Sequence, residues 1–399
     1  MKILKFDKAG FSLVELLVVM GLLVIVLAIS SGNFTTLLKA LKGESKTAET
    51  EVEKIVGLEI LRQDIENSGY GLPWFVDTND WSALNGYSEA SSQTVCGTNN
   101  INTYNDAPNN APRAIISGDN VCSDGSDYLV IKSSVVRNLA EAQKWTYIWN
   151  DGTSGKLNTW ATTVENINNN SQVIAVNPKE NVRDRVLVTY TSGGSKRFYT
   201  TYANSTSNYQ PRPSEVYILF AIGDDSSLRM PFNRADYFIN KNNVPSRCAS
   251  GTGVLTKATL SHGDGKLSDY SPLLDCVADM QIVFGVDITT PSADGQIDCY
   301  TNDLSKIGIT MDAENIRNRV KEVRAYILAH EGQMDRDYRF GNSKIMVGAS
   351  NINGLIGCDA SNVDKVLGRE YDLSGITNWQ NYRWKVYTLA ISPDNLRGR

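Results

Sequence analysis

Catalysis needs side chains of suitable type within reach of one another, and this chain offers few such sets. It has two histidines, His262 and His330. A Ser or Cys nucleophile needs a base beside it, and neither histidine lies in a GxSxG or comparable setting. His330, in Ala-His-Glu-Gly, reads as a turn residue after a strand, and His262, in Ser-His-Gly-Asp-Gly-Lys, reads as a loop. No P-loop or GxGxxG fingerprint stands between a strand and a helix, so no phosphate-binding loop is expected. These readings do not point to an enzyme.

The six cysteines are Cys96, Cys122, Cys248, Cys276, Cys299 and Cys358. They form no CxxC pair and lie far in sequence from both histidines, so metal-ligand spacing is absent. In an exported chain an even set is used for disulfides, up to three here. Spacing does not fix the pairing, and Cys96–Cys122, closing an Asn-rich loop, is the first choice.

Carboxylates gather in three places: Asp119, Asp124 and Asp127; Asp264 and Asp269; Asp294 and Asp298. Calcium would suit them, since it takes several oxygens converging on one loop. None of the loops follows the EF-hand pattern, and solvated turn carboxylates are the simpler reading, so no cofactor is expected. Trp145, Trp149 and Trp160, with Tyr147, lie in a polar stretch. They read either as a binding surface for sugars or another ligand, or as the cap of a small core, which is the more ordinary use.

Glu15 is the sharpest feature. It interrupts an apolar span of membrane length from Phe11 to Phe34, and the fourteen residues Leu16 to Ile29 carry no charge. A carboxylate within a membrane helix costs roughly 2.5–3.5 kcal/mol, so it calls for a partner. A secretory signal would be cut after the apolar run, and a plain anchor has no use for Glu15. Cleavage between Gly10 and Phe11 keeps the apolar run and creates an α-amine on Phe11. That cation lies at the same membrane depth and can neutralise Glu15 of a neighbouring subunit as helices stack.

The run Lys8-Ala9-Gly10-Phe11-Ser12-Leu13-Val14-Glu15-Leu16 resembles the processing site of type IV prepilins and type II secretion pseudopilins. The resemblance implies that a prepilin peptidase cuts after Gly10 and methylates the amine of Phe11. It implies that Glu15 is the assembly carboxylate, and that other major and minor pilins and an inner-membrane assembly platform are the partners. Lys2, Lys5 and Lys8, against Asp7, keep the leader cytoplasmic and place everything after about residue 34 outside. One departure is the lack of a Pro before Pro73; Gly21 and Gly32 are the weak points of this helix instead.

The elements that carry these residues follow from periodicity. Ala48, Val52, Ile55, Leu58, Leu61 and Ile65 recur at helical steps, with charges including Asp64 on the other faces. The helix is expected to end at Asn67-Ser68-Gly69. Beyond it, residues 127–132, 185–191, 196–202, 215–222, 320–329 and 382–391 read as strands, with a hairpin at Ser192-Gly-Gly-Ser195. Met280, Ile282, Phe284 and Val286 alternate with other residues, which predicts a strand with one buried face. Ala313–Arg319 reads as a short helix.

The expected fold class is therefore α+β: a long N-terminal helix packed against an antiparallel β-rich head. The expected parts are a leader at residues 1–10, an assembly helix at 11–34, its amphipathic extension at 35–68 and a head at 69–399, divided into two lobes near residue 245. Without its first ten residues, which hold three lysines and one aspartate, the chain goes from a charge of −5 to −7. An acidic head has no bulk attraction for nucleic acid. The second half, from Cys276–Gly285 through Val320–Leu328 to Tyr382–Tyr387, resembles PilW-type minor pilins. That resemblance implies a minor pilin that starts or caps a pilus at or near the tip. It would stand in the inner membrane first and in the extracellular fibre afterwards. A minor pseudopilin and a tip adhesin are the alternatives.

Overall fold

The computed structural model describes residues 12–180, 183–350, 356–358 and 366–396. A long helix is followed by a β-rich, largely antiparallel domain, and the chain divides into two compact units, residues 1–52 and 53–399.

Helix α1 spans Leu13–Glu66. Side chains from Leu13 to Ser31 are exposed, and this apolar stretch of 19 residues is about 28 Å long at 1.5 Å per residue. That length matches the hydrocarbon core of a bilayer. The last turns of α1 are different: Leu58, Leu61 and Ile65 are buried in the main core of the head. Ile55, on the same predicted stripe, is 66% exposed. The buried stripe starts at Gly57, where an added β-carbon would lie 1.7 Å from the Leu273 carbonyl oxygen. Helix and strand meet there backbone to backbone, and only glycine permits the contact. The helix stops at Glu66, and Gly69 and Gly71 then turn the chain through positive φ.

Among the described residues the larger sheet has nine strands. Its central strand, Leu267–Val286, is 20 residues long. The first half pairs with Gly253–Leu260, and the second half with Val320–Glu331, which pairs in turn with Arg383–Ile391. From Gly253–Leu260 the sheet continues through Asn233–Asn240, Tyr128–Ser133 and Ile115–Gly118. Strands from both sides of residue 245 thus belong to one sheet. From Cys276 to Val286 the central strand is buried on both faces, not one. Met280, Ile282, Phe284 and Val286 enter the main core. Ala278 and Val283 enter a second cluster with Val347 and Leu367, from the strand pair Lys344–Ser350 and Val366–Asp372. Residues remote in sequence supply that second cover.

Among the described residues a second sheet has seven strands. Val216–Gly223 is central, between Trp145–Asn150 and Gln172–Glu180. The predicted hairpin forms at Gly193-Gly194 but is short, Tyr190–Ser192 against Ser195–Arg197. Arg183–Val188 leaves it to pair with Gln172–Glu180.

Buried charge ties the Asn-rich segment to the large sheet. Lys132 Nζ lies 2.6 Å from both Glu89 and Asp106, and Arg234 holds Asp236 through two hydrogen bonds of 2.7 and 2.8 Å. Arg234 also donates to the Ile101 carbonyl at 2.8 Å. Charges this deep are tolerated because each has a bonded counter-charge. All six cysteines are bonded, as Cys96–Cys122, Cys248–Cys276 and Cys299–Cys358.

Candidate functional site

Gly10 and Phe11, the expected processing residues, lie outside the described residues. Glu15 is the third residue of α1, and its Oε2 accepts from the Ser12 backbone N–H at 3.3 Å. Ser12-Leu13-Val14-Glu15 therefore has the spacing and the return bond of a capping box. The carboxylate satisfies one of the open N–H groups at the helix start and also suits the positive end of the helix dipole.

The head end of α1 carries a polar lock that periodicity assigned to an outer charged face. Asp64 is half-buried, with the Nζ of the buried Lys257 2.6 Å from its Oδ2. The Tyr237 hydroxyl donates to the same oxygen, and Lys257 also reaches Asn138 Oδ1 at 3.1 Å. Burial pushes the Asp64 carboxyl above its usual range, against the pull of Lys257. The sequence holds no local signal for this, because Tyr237 and Lys257 come from strands far along the chain.

The histidines are both buried. His262 Nδ1 accepts from the Arg229 N–H at 3.3 Å, and its Nε2 faces Asn233 Oδ1 at 3.2 Å. Asn233 Nδ2 donates to the Ser134 and Ile222 carbonyls, which leaves Oδ1 as the acceptor toward His262. Both ring nitrogens are thus satisfied in the neutral form with the proton on Nε2. Burial holds the ring down to about 4. His330 is not a turn residue: the strand Val320–Glu331 continues past it because Trp384 and Arg383 pair with its last two residues. His330 Nε2 accepts from the Ala249 N–H at 2.8 Å, and the ring packs on Tyr382 and Trp384. Cys248, Cys276 and His330 place ligand-type atoms within 4.8 Å of one another, but both sulfurs are held in a disulfide.

The acidic loops are knitted into the fold. Asp127 accepts from the Asn120 and Ile282 N–H groups, at 2.8 and 2.7 Å, and burial pushes its carboxyl well up. Asp119 accepts from Asn120 and Asn302 side chains, Asp124 from Ser126, Asp264 from the Lys266 N–H, and Asp269 from Thr259. Asp294 accepts from the Gln296 N–H and Asp298 from the Ile288 N–H. The structure brings the aromatic residues together: Trp145 and Trp160 have ring centroids 5.2 Å apart, and Tyr147 lies 5.5 Å from Trp149. Their strand is the neighbour of Val216–Gly223, and Trp145 is 40% exposed.

Residues 5–31 match the family model of the prokaryotic N-terminal methylation motif. With the apolar helix and the β-rich domain, this match supports assigning the chain to the type IV prepilin and pseudopilin family. The motif implies processing by a prepilin peptidase and use of pilus-type assembly machinery, and it fits a membrane anchor. No curated protein and no solved structure matches the chain.

Proposed function

We propose that this protein is a minor type IV pilin of PilW type that initiates or caps a pilus at or near its tip. The observation that carries the reading is the methylation motif at residues 5–31 joined to a head as large as residues 53–399. A main fibre subunit packs many copies around one helix bundle, which favours a small head. In this reading the peptidase cuts after Gly10, the helix holds the subunit in the inner membrane with its head outside, and Glu15 meets the Phe11 amine of another pilin.

Mass spectrometry of sheared pili tests it. An N-methylated peptide starting at Phe11, at low abundance beside a major pilin, is the expected result. A chain with its first ten residues intact would overturn processing. Deleting the gene separates the two assemblies: loss of pili fits a minor pilin, whereas normal pili with blocked protein secretion would indicate a minor pseudopilin.

A further inference from the structure

Trp74 lies between two guanidinium groups, with Arg317 3.9 Å and Arg185 4.8 Å from its ring. On the Arg185 side the head opens into a groove of about 410 Å³, within the size range of small-molecule sites. Tyr70, Trp74, Trp145 and Phe220 line it, and Asp184 and Asn395 add polar groups beside Arg185. Arg185 Nη1 donates to the Gly69 carbonyl at 3.2 Å. The charge of Asp184 acts on both Arg185 and Arg317, Glu314 and Asp312 act on Arg317 as well, and Asp394 also lines the groove. Burial holds both guanidiniums below their ordinary range, and the charge of Arg185 adds to the effect on Arg317. The backbone of Arg185 sits at φ 51°, a region that a long side chain seldom adopts and that is associated with functional positions.

These features select a ligand class. Aromatic walls suit the apolar face of a sugar ring, and Asp184 and Asn395 can accept from its hydroxyls. The Arg185 fork fits a carboxylate in a bidentate way. A polyphosphate or nucleic acid brings several negative charges against Asp184 and Asp394 with Arg185 as the cation in the lining, whereas a sugar brings one carboxylate per ring and hydroxyls that those carboxylates can accept from. An apolar peptide would bury Arg185 without a partner. We propose that this groove binds an acidic sugar, a pyranose ring bearing a carboxylate, as a unit of a larger glycan. The site does not depend on the subunit's position in a fibre.

The test is calorimetric titration of the full-length chain in detergent with trigalacturonate and with sialyllactose, using maltotriose and inorganic phosphate as controls. Saturable binding of at least one acidic sugar is expected, with neither control competing. Arg185→Asn removes the fork while keeping a residue that tolerates positive φ. It should weaken binding about tenfold or more, as loss of a charge-assisted hydrogen bond does. Trp145→Ala, which removes another aromatic lining residue, should weaken it as well, and near-UV circular dichroism confirms that each variant folds. Absence of saturable binding by both acidic sugars overturns the proposal. So does equal binding of maltotriose, competition by phosphate, or unchanged affinity in the two folded variants.

Discussion

Acidification should destabilise the head through His262, by an amount that can be worked out. The imidazole is buried, with Asp225, Arg137 and Arg229 as the charged groups that act on it. Its Nδ1 is occupied by the Arg229 N–H, so the proton that would charge the ring has nowhere to go without breaking that bond. The native ring titrates near 4, whereas the unfolded ring does so near 6.5. Between those values the unfolded chain binds more protons than the native one, so stability falls as pH falls through that window. At about 1.4 kcal/mol per pH unit, the full loss below pH 4 is about 3 kcal/mol. That is a large share of the ~5–15 kcal/mol that holds a typical domain together. Asp64, Asp119, Asp127 and Asp279 are all pushed upward by burial, and their native states hold protons more tightly, which gives a slope of opposite sign. A comparison with His262→Gln isolates the histidine. Denaturant midpoints of both proteins would be measured from pH 7 to pH 4, alongside a histidine ¹³C NMR titration, which has only two ring signals to assign. The wild type should lose about 3 kcal/mol more than the variant over that range. Parallel pH profiles, or a His262 signal titrating near 6.5, would refute the argument.

Three further outcomes are expected. Glu15→Ala should leave a membrane-resident subunit that enters pili poorly; immunoblots of sheared fibres showing wild-type incorporation would rule out charge pairing. Gly57→Ala forces a β-carbon onto the Leu273 carbonyl, so it should cost about 3 kcal/mol or more; an unchanged thermal midpoint would show that helix and strand are not in contact there. Asp64→Ala should cost about 3–5 kcal/mol by leaving Lys257 buried without its counter-charge, whereas the double change Asp64→Leu, Lys257→Met should cost less than that single change; additive costs would contradict the lock.

The parts legible in the sequence are those whose cause is contiguous. Leu13–Ser31 reads as a membrane-length helix because one uninterrupted apolar run makes it so. Ala313–Arg319 and the turn at Gly193-Gly194 are local in the same sense. What escaped depends on distant partners. His330 belongs to a strand because Trp384 pairs with it. Asp64 looks like any exposed helix carboxylate until Tyr237 and Lys257 arrive. Lys132 follows the apolar run Tyr128–Ile131 in its strand, and that anomaly was a readable hint of a buried counter-charge. Glu89 and Asp106, which answer Lys132, sit in an Asn-rich segment with no periodicity to place them. The groove at Trp74 is likewise assembled from segments around residues 70, 145, 185, 220 and 395, and no single stretch announces it.

The lock at Asp64 also has a consequence in time. Its partners Tyr237 and Lys257 follow it by 173 and 193 residues. At a synthesis rate of ~5–20 residues per second, Lys257 is made about 10–40 seconds after Asp64. Until then the core around Leu58, Leu61 and Ile65 lacks Leu273, Leu274 and the later strands that complete it. The apolar anchor is thus made well before the residues that lock α1 to the head. A nascent or truncated chain therefore displays a sticky stripe next to the membrane, which marks it as unfinished to any chaperone or protease that patrols there.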